Sequence, residues 1–372
     1  MTDKDRMSRG AKILIAAGGS GGHIFPAVAL ARNILKSGKN DILFIGSKRG
    51  LDKKIFEKEG FKYRLLSGNK LSYKNKLKLP FFFLKLLFDL SSMLSIIISY
   101  KPDAVVGFGG YVSFPAVIWG RLLGARCVLH EQNVSPGRAN KLLFRFADSI
   151  GLSFRETETH LGRDSKKAVF TGNPIRDEMF KDDHPGGIKK FGLDIQKFTI
   201  LVVGGSQGAH RLNQLFVDSI ALLEKTFREK IQIIHLTGIK DYNWVVEAYR
   251  KSDVNHSVHT FIDRIEEAYS ASDMIVTRSG ASAIFEAALF ARPMVLVPYP
   301  FALNHQMENA KVFAKKGAAI ILEESAADAG AFRDAITELV GDSAKRGALS
   351  SSARAMAVPD ASDKLAKVVL DF

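Results

Sequence analysis

The stretch Ile13-Leu-Ile-Ala-Ala-Gly-Gly-Ser-Gly-Gly-His23 decides the fold, and it is echoed by Leu201-Val-Val-Gly-Gly-Ser-Gln-Gly-Ala-His210. Each begins as a short apolar run, passes through a cluster of glycines and continues into a helical pattern, so each reads as strand, glycine loop, helix. Similar apolar runs follow the first stretch at Ile42–Ile45, Ala104–Val106 and Cys127–Leu129. Around the second they recur at Thr199–Val203, Ile231–Leu236, Met274–Thr277 and Met294–Pro298. Strands alternating with helices make βαβ units and parallel sheets. The predicted class is α/β, with two doubly wound parallel-sheet domains. Ligands of such sheets sit beyond the carboxyl ends of the strands, so two domains facing each other would enclose a cleft between the glycine loops.

The chain has 372 residues, 46% of them hydrophobic, enough for two cores. Thr171-Gly-Asn-Pro-Ile-Arg176 and the polar Lys181-Asp-Asp-His-Pro-Gly-Gly187 separate the two strand series and read as a linker. The expected domains are 1–172 and 173–345, followed by a helical tail over about 346–372, broken at Pro359. The pattern leaves open which domain this tail packs on; a return to the first is one option. The single cysteine, Cys127, excludes an internal disulfide framework and a Cys-based zinc site, which suits a reducing compartment. The run Lys12–Ala17 stops too soon for a signal peptide. Leu77–Tyr100 is interrupted by Pro80, Lys85 and Asp89, so no bilayer-spanning helix is expected.

The formal charge of +14 is unevenly placed. Residues 1–172 hold 29 Lys and Arg against 13 Asp and Glu, whereas 173–372 hold 24 against 26. A one-sided basic field suits an anionic surface, either nucleic acid or the acidic headgroups of a membrane leaflet. No aromatic recognition motif for nucleic acid accompanies it. Between Lys70 and Phe88, basic and aromatic residues interleave: Lys70, Lys74, Lys76 and Lys78, then Phe81-Phe-Phe-Leu-Lys-Leu-Leu-Phe88. This fits an interfacial membrane patch. A helix over 81–99 would keep only the polar stripe Lys85, Asp89, Ser92 and Ser99, which fits core burial equally.

The chemistry-bearing residues cluster at the predicted strand ends. Gly18, Gly19, Gly21 and Gly22 let backbone N–H groups approach a ligand, and a helix starting near Ile24 would point its positive dipole end at the same spot. The spacing departs from G-x-G-x-x-G, with Ile24 in place of the third glycine, which argues against a nicotinamide enzyme. His23 is the candidate general base; ordering of the loop is its alternative role. His130-Glu-Gln-Asn133 supplies a second acid–base pair in His130 and Glu131, with loop anchoring as the alternative for Glu131. In Thr277-Arg-Ser-Gly-Ala-Ser-Ala-Ile-Phe-Glu286, Ser279-Gly280 opens a helix whose N–H groups can hold a pyrophosphate. Glu286, about two turns in, can accept from both hydroxyls of a ribose. Asn304, His305, Gln306 and Asn309 cluster after the next strand and offer amides to sugar hydroxyls, with helix capping the plainer role for Asn304. No zinc-ligand spacing, Walker lysine loop or Ser/His/Asp elbow is present.

Taken in order, Gly18-Gly-Ser-Gly-Gly-His23, Gly107-Phe-Gly-Gly-Tyr111, His130-Glu-Gln-Asn133, Gly172-Asn-Pro-Ile-Arg176, Gly204-Gly-Ser-Gln-Gly208 and Arg278-Ser-Gly-Ala281 resemble the motifs of the MurG family over nearly the whole chain. These are bacterial N-acetylglucosaminyltransferases of peptidoglycan synthesis. The resemblance implies GT-B architecture, two Rossmann-like domains across a cleft. It implies inverting transfer of GlcNAc from UDP-GlcNAc to the C4 hydroxyl of MurNAc in undecaprenyl-diphosphate-MurNAc-pentapeptide, with no cofactor and no tightly bound metal. Donor contacts carry over to Ser20, Gly21, Gly22, Asn133, Arg176, Ser206, Ile262, Ala281, Ser282, Ala283, Ile284, Phe285, Glu286 and Gln306, with Ile262 against the uracil and Glu286 on the ribose. It further implies a peripheral place on the cytoplasmic face of the inner membrane, and cell-wall synthesis proteins as partners. The stretches Gly46–Leu51 and Ser67–Ser72 depart from the family pattern on the acceptor side. Two other readings compete: a glycolipid synthase using a UDP-sugar and diacylglycerol, and a non-catalytic peripheral-membrane binding protein.

Overall fold

The computed structural model describes residues 10–48, 51–68, 79–205, 208–301 and 304–371. The chain divides into two compact units, Met1–Arg176 with Pro359–Phe372, and Asp177–Val358. The first unit is built on β1 (Lys12–Ala16), β2 (Asp41–Ser47), β3 (Lys62–Leu66), β4 (Ala104–Gly107), β5 (Arg126–Glu131), β6 (Ser149–Leu152) and β7 (Ala168–Phe170). They form a parallel sheet in the order β3-β2-β1-β4-β5-β6-β7. Ile13, Leu14, Ile15 and Ala16 are all fully buried, because a parallel sheet is covered on both faces and its central strands read as continuous apolar runs. One face packs on the helix Gly21–Lys36 through Ile24, Ala27, Val28 and Ala31; the other receives Met93, Ile97, Val117 and Leu143.

The second unit holds β8 (Phe198–Val203), β9 (Ile231–Leu236), β10 (Asn255–His259), β11 (Met274–Thr277), β12 (Met294–Leu296) and β13 (Ala319–Ile321), all parallel, in the order β10-β9-β8-β11-β12-β13. Both sheets are doubly wound, as expected. In each the strand order reverses beside the strand that carries the glycine loop: between β1 and β4, where Ala16 pairs with Gly107, and between β8 and β11, where Val203 pairs with Thr277. A reversal of this kind opens a crevice at the carboxyl ends of the two strands, so the glycine loops stand where an α/β sheet binds ligands.

Two expectations change on inspection, and the open placement of the tail is settled. The stretch Lys181–Gly187 is only partly a linker: Asp183 caps the helix His184–Lys190, its carboxylate accepting from Gly186 N–H at 3.0 Å. The tail is two helices on either side of Pro359, as expected. Ser343–Met356 stays with the second unit, where it packs on the helix Ala281–Leu289. Ala361–Leu370 returns to the first, placing Leu365, Ala366 and Val369 in its core. Asp89 is no member of a solvated stripe. It is 1% exposed, and its carboxylate accepts from Ser67 N–H at 3.1 Å, from the Ser67 hydroxyl and from the Tyr111 hydroxyl at 2.9 Å.

The helix Leu79–Tyr100 is two-faced. Asp89, Met93 and Ile97, spaced by four, face the core, while Leu84, Leu87, Phe88 and Ile98 stand more than half exposed. Core burial thus describes one face of this helix, and the other face carries exposed apolar side chains. Lys70, Lys74, Lys76 and Lys78 lie outside the described residues. No helix among the described residues is long and apolar enough to cross a membrane.

Candidate active site

In the first unit the chain leaves β1 at Ala16, turns through Ala17–Ser20 and enters its helix at Gly21, three residues before Ile24. Gly21 and Gly22 therefore belong to the first helical turn, where the positive end of the helix dipole favours an anionic ligand. Gly19 has φ +82°, which a side chain would resist, and a Cβ on Gly18 would lie 2.4 Å from the Asp52 carboxylate. Ser20 occupies the N-cap position without a side-chain capping bond.

His23 is half-buried, with Nδ1 3.3 Å from the carbonyl oxygen of Gly18. A carbonyl only accepts, so Nδ1 carries the proton and donates it, leaving Nε2 with a lone pair. Burial lowers the pKa of His23 below its ordinary 6.5; the Gly18 bond and the negative charges of Glu131 and Asp52 only partly offset this. The ring is neutral at pH 7 and presents a basic nitrogen. Against it lies the Gly107-Phe-Gly-Gly110 turn, with Gly109 at φ +94° and Gly110 at φ +75°. A Cβ on Gly109 would sit 3.5 Å from Nε2, and one on Gly110 would sit 3.3 Å from the Gly18 oxygen. Ser113 holds this turn, its hydroxyl donating to Gly109 O at 2.7 Å and accepting from Gly109 N–H at 3.0 Å.

The histidine and glutamate at the end of β5 are committed elsewhere. His130 is fully buried; its Nε2 donates to Gly172 O at 3.1 Å while Nδ1 accepts from Gln132 Nε2 at 3.1 Å, and burial lowers its pKa to about 4. Glu131, 1% exposed, accepts at Oε1 from Asn133 N–H (3.0 Å) and Nδ2 (3.3 Å), and at Oε2 from Gly137 N–H (3.0 Å) and Asn140 Nδ2 (2.8 Å). Four donors fill the carboxylate's lone pairs and leave none for a substrate proton. This geometry favours the anchor over the acid–base role: Glu131 shapes the loop that presents Asn133. Arg176 lies with its guanidinium 4.5 Å from the ring centre of Phe25, which places a cation beside the Gly21 helix start.

In the second unit, Gly204 and Gly205 follow β8, and the helix His210–Ala221 begins shortly after; Ser206 lies outside the described residues. Gly280 precedes the helix Ala281–Leu289 without a side-chain cap. Of the six residues expected to contact the donor there, Ala281, Ile284 and Phe285 are buried. Ile284 is a core side chain, and Phe285 stacks edge-on with Phe313. The helical period turns Ser282, Ala283 and Glu286 outward instead, each half-exposed. Glu286 sits five residues into the helix, less than the two turns expected.

Gln306 accepts from Tyr299 N–H at 2.9 Å through Oε1, which leaves its Nε2 as the group able to donate to a ligand. Its backbone oxygen accepts from the Ser279 hydroxyl at 2.8 Å, and Asn309 Nδ2 donates to Ser279 O at 3.1 Å. These bonds tie the loop after β11 to the start of the helix His305–Lys315. Asn304 precedes the helix His305–Lys315 in a left-handed conformation, φ 63°, and makes no side-chain cap, so ordinary capping does not account for it. Arg278 is structural: it is 8% exposed, pairs with Glu324 and donates to Val297 O at 3.1 Å. Ile262, in the loop after β10, is half-exposed. Among the described residues no group of three His, Cys, Asp or Glu could hold a metal ion.

The residue that sequence reasoning missed is Asp52. It is fully buried beneath the first glycine loop, 33 positions away from it, and accepts from Gly19 N–H at 3.0 and 3.2 Å and from Ser47 N–H at 2.8 Å.

Residues 13–152 match the glycosyltransferase family 28 N-terminal domain, and residues 199–365 match its C-terminal domain. The chain is 38% identical, over 84% of its length and 85% of the relative's, to the UDP-N-acetylglucosamine–N-acetylmuramyl-(pentapeptide) pyrophosphoryl-undecaprenol N-acetylglucosamine transferase of Syntrophus aciditrophicus. A Halothermothrix orenii protein of the same description is 34% identical over 97% of this chain and 98% of its own. The chain belongs to the MurG family. A crystal structure of Acinetobacter baumannii MurG superimposes with a TM-score of 0.76 at 26% identity, covering 98% of this chain and all of that one. A UDP-N-acetylglucosamine 2-epimerase, TM-score 0.69 at 12% identity over 97% of this chain and 96% of its own, shares the fold alone. The architecture is thus the GT-B fold of the MurG family, and the chain is an N-acetylglucosaminyltransferase.

Proposed function

We propose that this chain holds the nucleotide of its donor on the second unit and its acceptor on the first, with His23 taking the acceptor's proton. As a MurG-family enzyme it transfers N-acetylglucosamine from UDP-N-acetylglucosamine to N-acetylmuramyl-(pentapeptide) pyrophosphoryl-undecaprenol, a step of peptidoglycan synthesis. In our reading the C4 hydroxyl of MurNAc attacks C1 of the sugar from the face opposite the leaving UDP, so the anomeric centre inverts. Nε2 of His23 accepts the hydroxyl proton as the new bond forms. The helix starts at Gly21 and Ala281 lend their N–H groups to the negative charge of the donor and leaving diphosphate, and Arg176 adds a cation. Glu286 accepts from the ribose hydroxyls, Ile262 packs on the uracil, and Gln306 Nε2 donates to the sugar. Ser20, Asn133, Ser206, Ser282 and Ala283 complete the donor contacts.

The observation that carries this reading is the His23 tautomer: the Gly18 carbonyl holds the proton on Nδ1, so the other nitrogen is a base. The exposed Leu84, Leu87 and Phe88 face, on the unit that bears the positive excess, supports docking on the anionic cytoplasmic face of the cell membrane, where the acceptor's lipid is anchored. Cell-wall synthesis proteins are the partners this location implies. A panel of UDP-sugars assayed against the muramyl-pentapeptide lipid and against diacylglycerol tests it. UDP release is expected only with UDP-GlcNAc and the muramyl lipid. Release with diacylglycerol, or with no acceptor at all, refutes the assignment.

A further inference from the structure

We propose that Asp52 is a positioning residue for His23, acting through the single peptide that joins Gly18 to Gly19. The proposal rests on the reading of His23 as the base. The N–H of that peptide, on Gly19, donates to both oxygens of the Asp52 carboxylate at 3.0 and 3.2 Å, and its C=O, on Gly18, accepts from His23 Nδ1 at 3.3 Å. One amide is therefore clamped at both ends, by a buried charge on one side and by the catalytic ring on the other. A carboxylate at the N–H end draws electron density toward the carbonyl oxygen, and hydrogen bonds in series strengthen one another in a low-dielectric setting. The Gly18 oxygen becomes a stronger acceptor for Nδ1–H. That fixes the tautomer with Nε2 unprotonated and stabilises the imidazolium formed when Nε2 takes a proton.

The arrangement is the work an aspartate does in direct contact with a catalytic histidine, here relayed across one peptide. The local sequence is built for it. A Cβ on Gly18 would collide with Asp52 Oδ2, Gly19 needs its positive φ, and Asp52 Oδ2 is held in place by Ser47 N–H at 2.8 Å. Asp52 itself is fully buried, and buried charges are screened far less than exposed ones.

Among the described residues, the charged groups that bear on the ring are Asp52 and Glu131. Arg176 lies over Phe25, two residues further along the helix, and the turn against the imidazole itself, Gly109 and Gly110, is neutral. Glu131 is engaged by four donors and is unchanged in an Asp52 variant, so it serves as a constant background.

The test follows the ring nitrogens of His23 by 15N NMR across pH, assigned by their loss in His23→Ala, together with kcat on the same samples. In the parent, His23 is expected as the Nδ1–H tautomer. In Asp52→Asn its pKa is expected to fall by about half a unit, less than the shift a direct opposite charge causes, because the charge acts through a peptide. The acid limb of kcat should move down by the same amount and the plateau drop about tenfold. Asp52→Glu, which restores a carboxylate, should return both toward the parent. If Asp52→Asn fails to fold, Asp52→Ser keeps an acceptor for Gly19 without the charge and carries the same expectations. An unchanged pKa and tautomer in the neutral variant overturns the proposal, even where KM for UDP-GlcNAc rises, because Asp52 then only shapes the loop. A parent acid limb that does not follow the His23 titration instead overturns the base assignment, with the NMR shift still judging the relay.

Discussion

Glu131→Gln separates an anchor from a reacting carboxylate. The substitution keeps the volume of the side chain and turns one acceptor oxygen into an amide NH2. Whichever oxygen is replaced, two donors lose their partner: Asn133 N–H and Nδ2 at Oε1, or Gly137 N–H and Asn140 Nδ2 at Oε2. Asn140 has little room to adapt, because the same Nδ2 also donates to His130 O at 3.2 Å. Hydrogen bonds to a charged group contribute about 1.5–3 kcal/mol each, and the two that remain lose their charge assistance, so the expected destabilisation is about 3–5 kcal/mol. For a unit of this size each kcal/mol lowers the midpoint by about 2–4 °C, giving a fall of roughly 10 °C in scanning calorimetry. Turnover measured well below that midpoint should stay within about tenfold of the parent, since no substrate proton passes through Glu131. A variant that melts within about 2 °C of the parent yet loses about a hundredfold or more in kcat would refute the reasoning and put Glu131 in the chemistry.

Glu286→Ala should raise KM for UDP-GlcNAc about tenfold or more by removing charged hydrogen bonds to the ribose; steady-state kinetics with an unchanged KM would remove Glu286 from the donor site. Gly110→Ala forces a side chain into φ +75° against the Gly18 oxygen, at a cost of about 1–2 kcal/mol. It should lower both the midpoint and kcat, whereas a parent-like variant would mean that the turn moves away from His23 without penalty. Leu87→Ser with Phe88→Ser removes two outward apolar side chains, each contributing about 1.5–3 kcal/mol when buried. Co-sedimentation with vesicles containing anionic lipid should fall at least about tenfold while turnover of a water-soluble acceptor analogue stays constant; undiminished sedimentation would rule out this face as the docking surface.

The central strands were readable because a parallel sheet buries both faces and so spells uninterrupted apolar runs, as in Ile13–Ala16 and Ile200–Val203. The outer strands were not. Lys62-Tyr-Arg-Leu-Leu66 and Asn255-His-Ser-Val-His259 sit at sheet edges, where one face meets solvent and polar residues alternate in, and the edge strand Ala168–Phe170 is only three residues long. The donor-side helix shows the same limit at finer grain. Its motif placed six residues at the ligand, but rotation about the helix axis buries Ile284 and Phe285, and only the three-dimensional period separates them from Ser282, Ala283 and Glu286.

From sequence alone His23 was the first candidate for the proton and Glu131 the second. What distinguishes them is the number of donors each meets, a property of folded loops. Asp52 was invisible for a related reason: a surface-looking aspartate among lysines acquires its role only when β2 brings the start of the next helix beneath Gly19.

The most direct measurement of the central claim is kcat against pH for the parent and His23→Ala at saturating donor and acceptor. Burial holds the His23 pKa below 6.5, so the neutral, basic form dominates above that value and is lost as pH falls through it. The account predicts a parent kcat that is flat near neutrality and declines on the acid side, and a His23→Ala kcat lower by about 10²–10⁴-fold without that decline, with KM for UDP-GlcNAc little changed. A His23→Ala enzyme that turns over within about threefold of the parent, or that keeps the same acid limb, would contradict it.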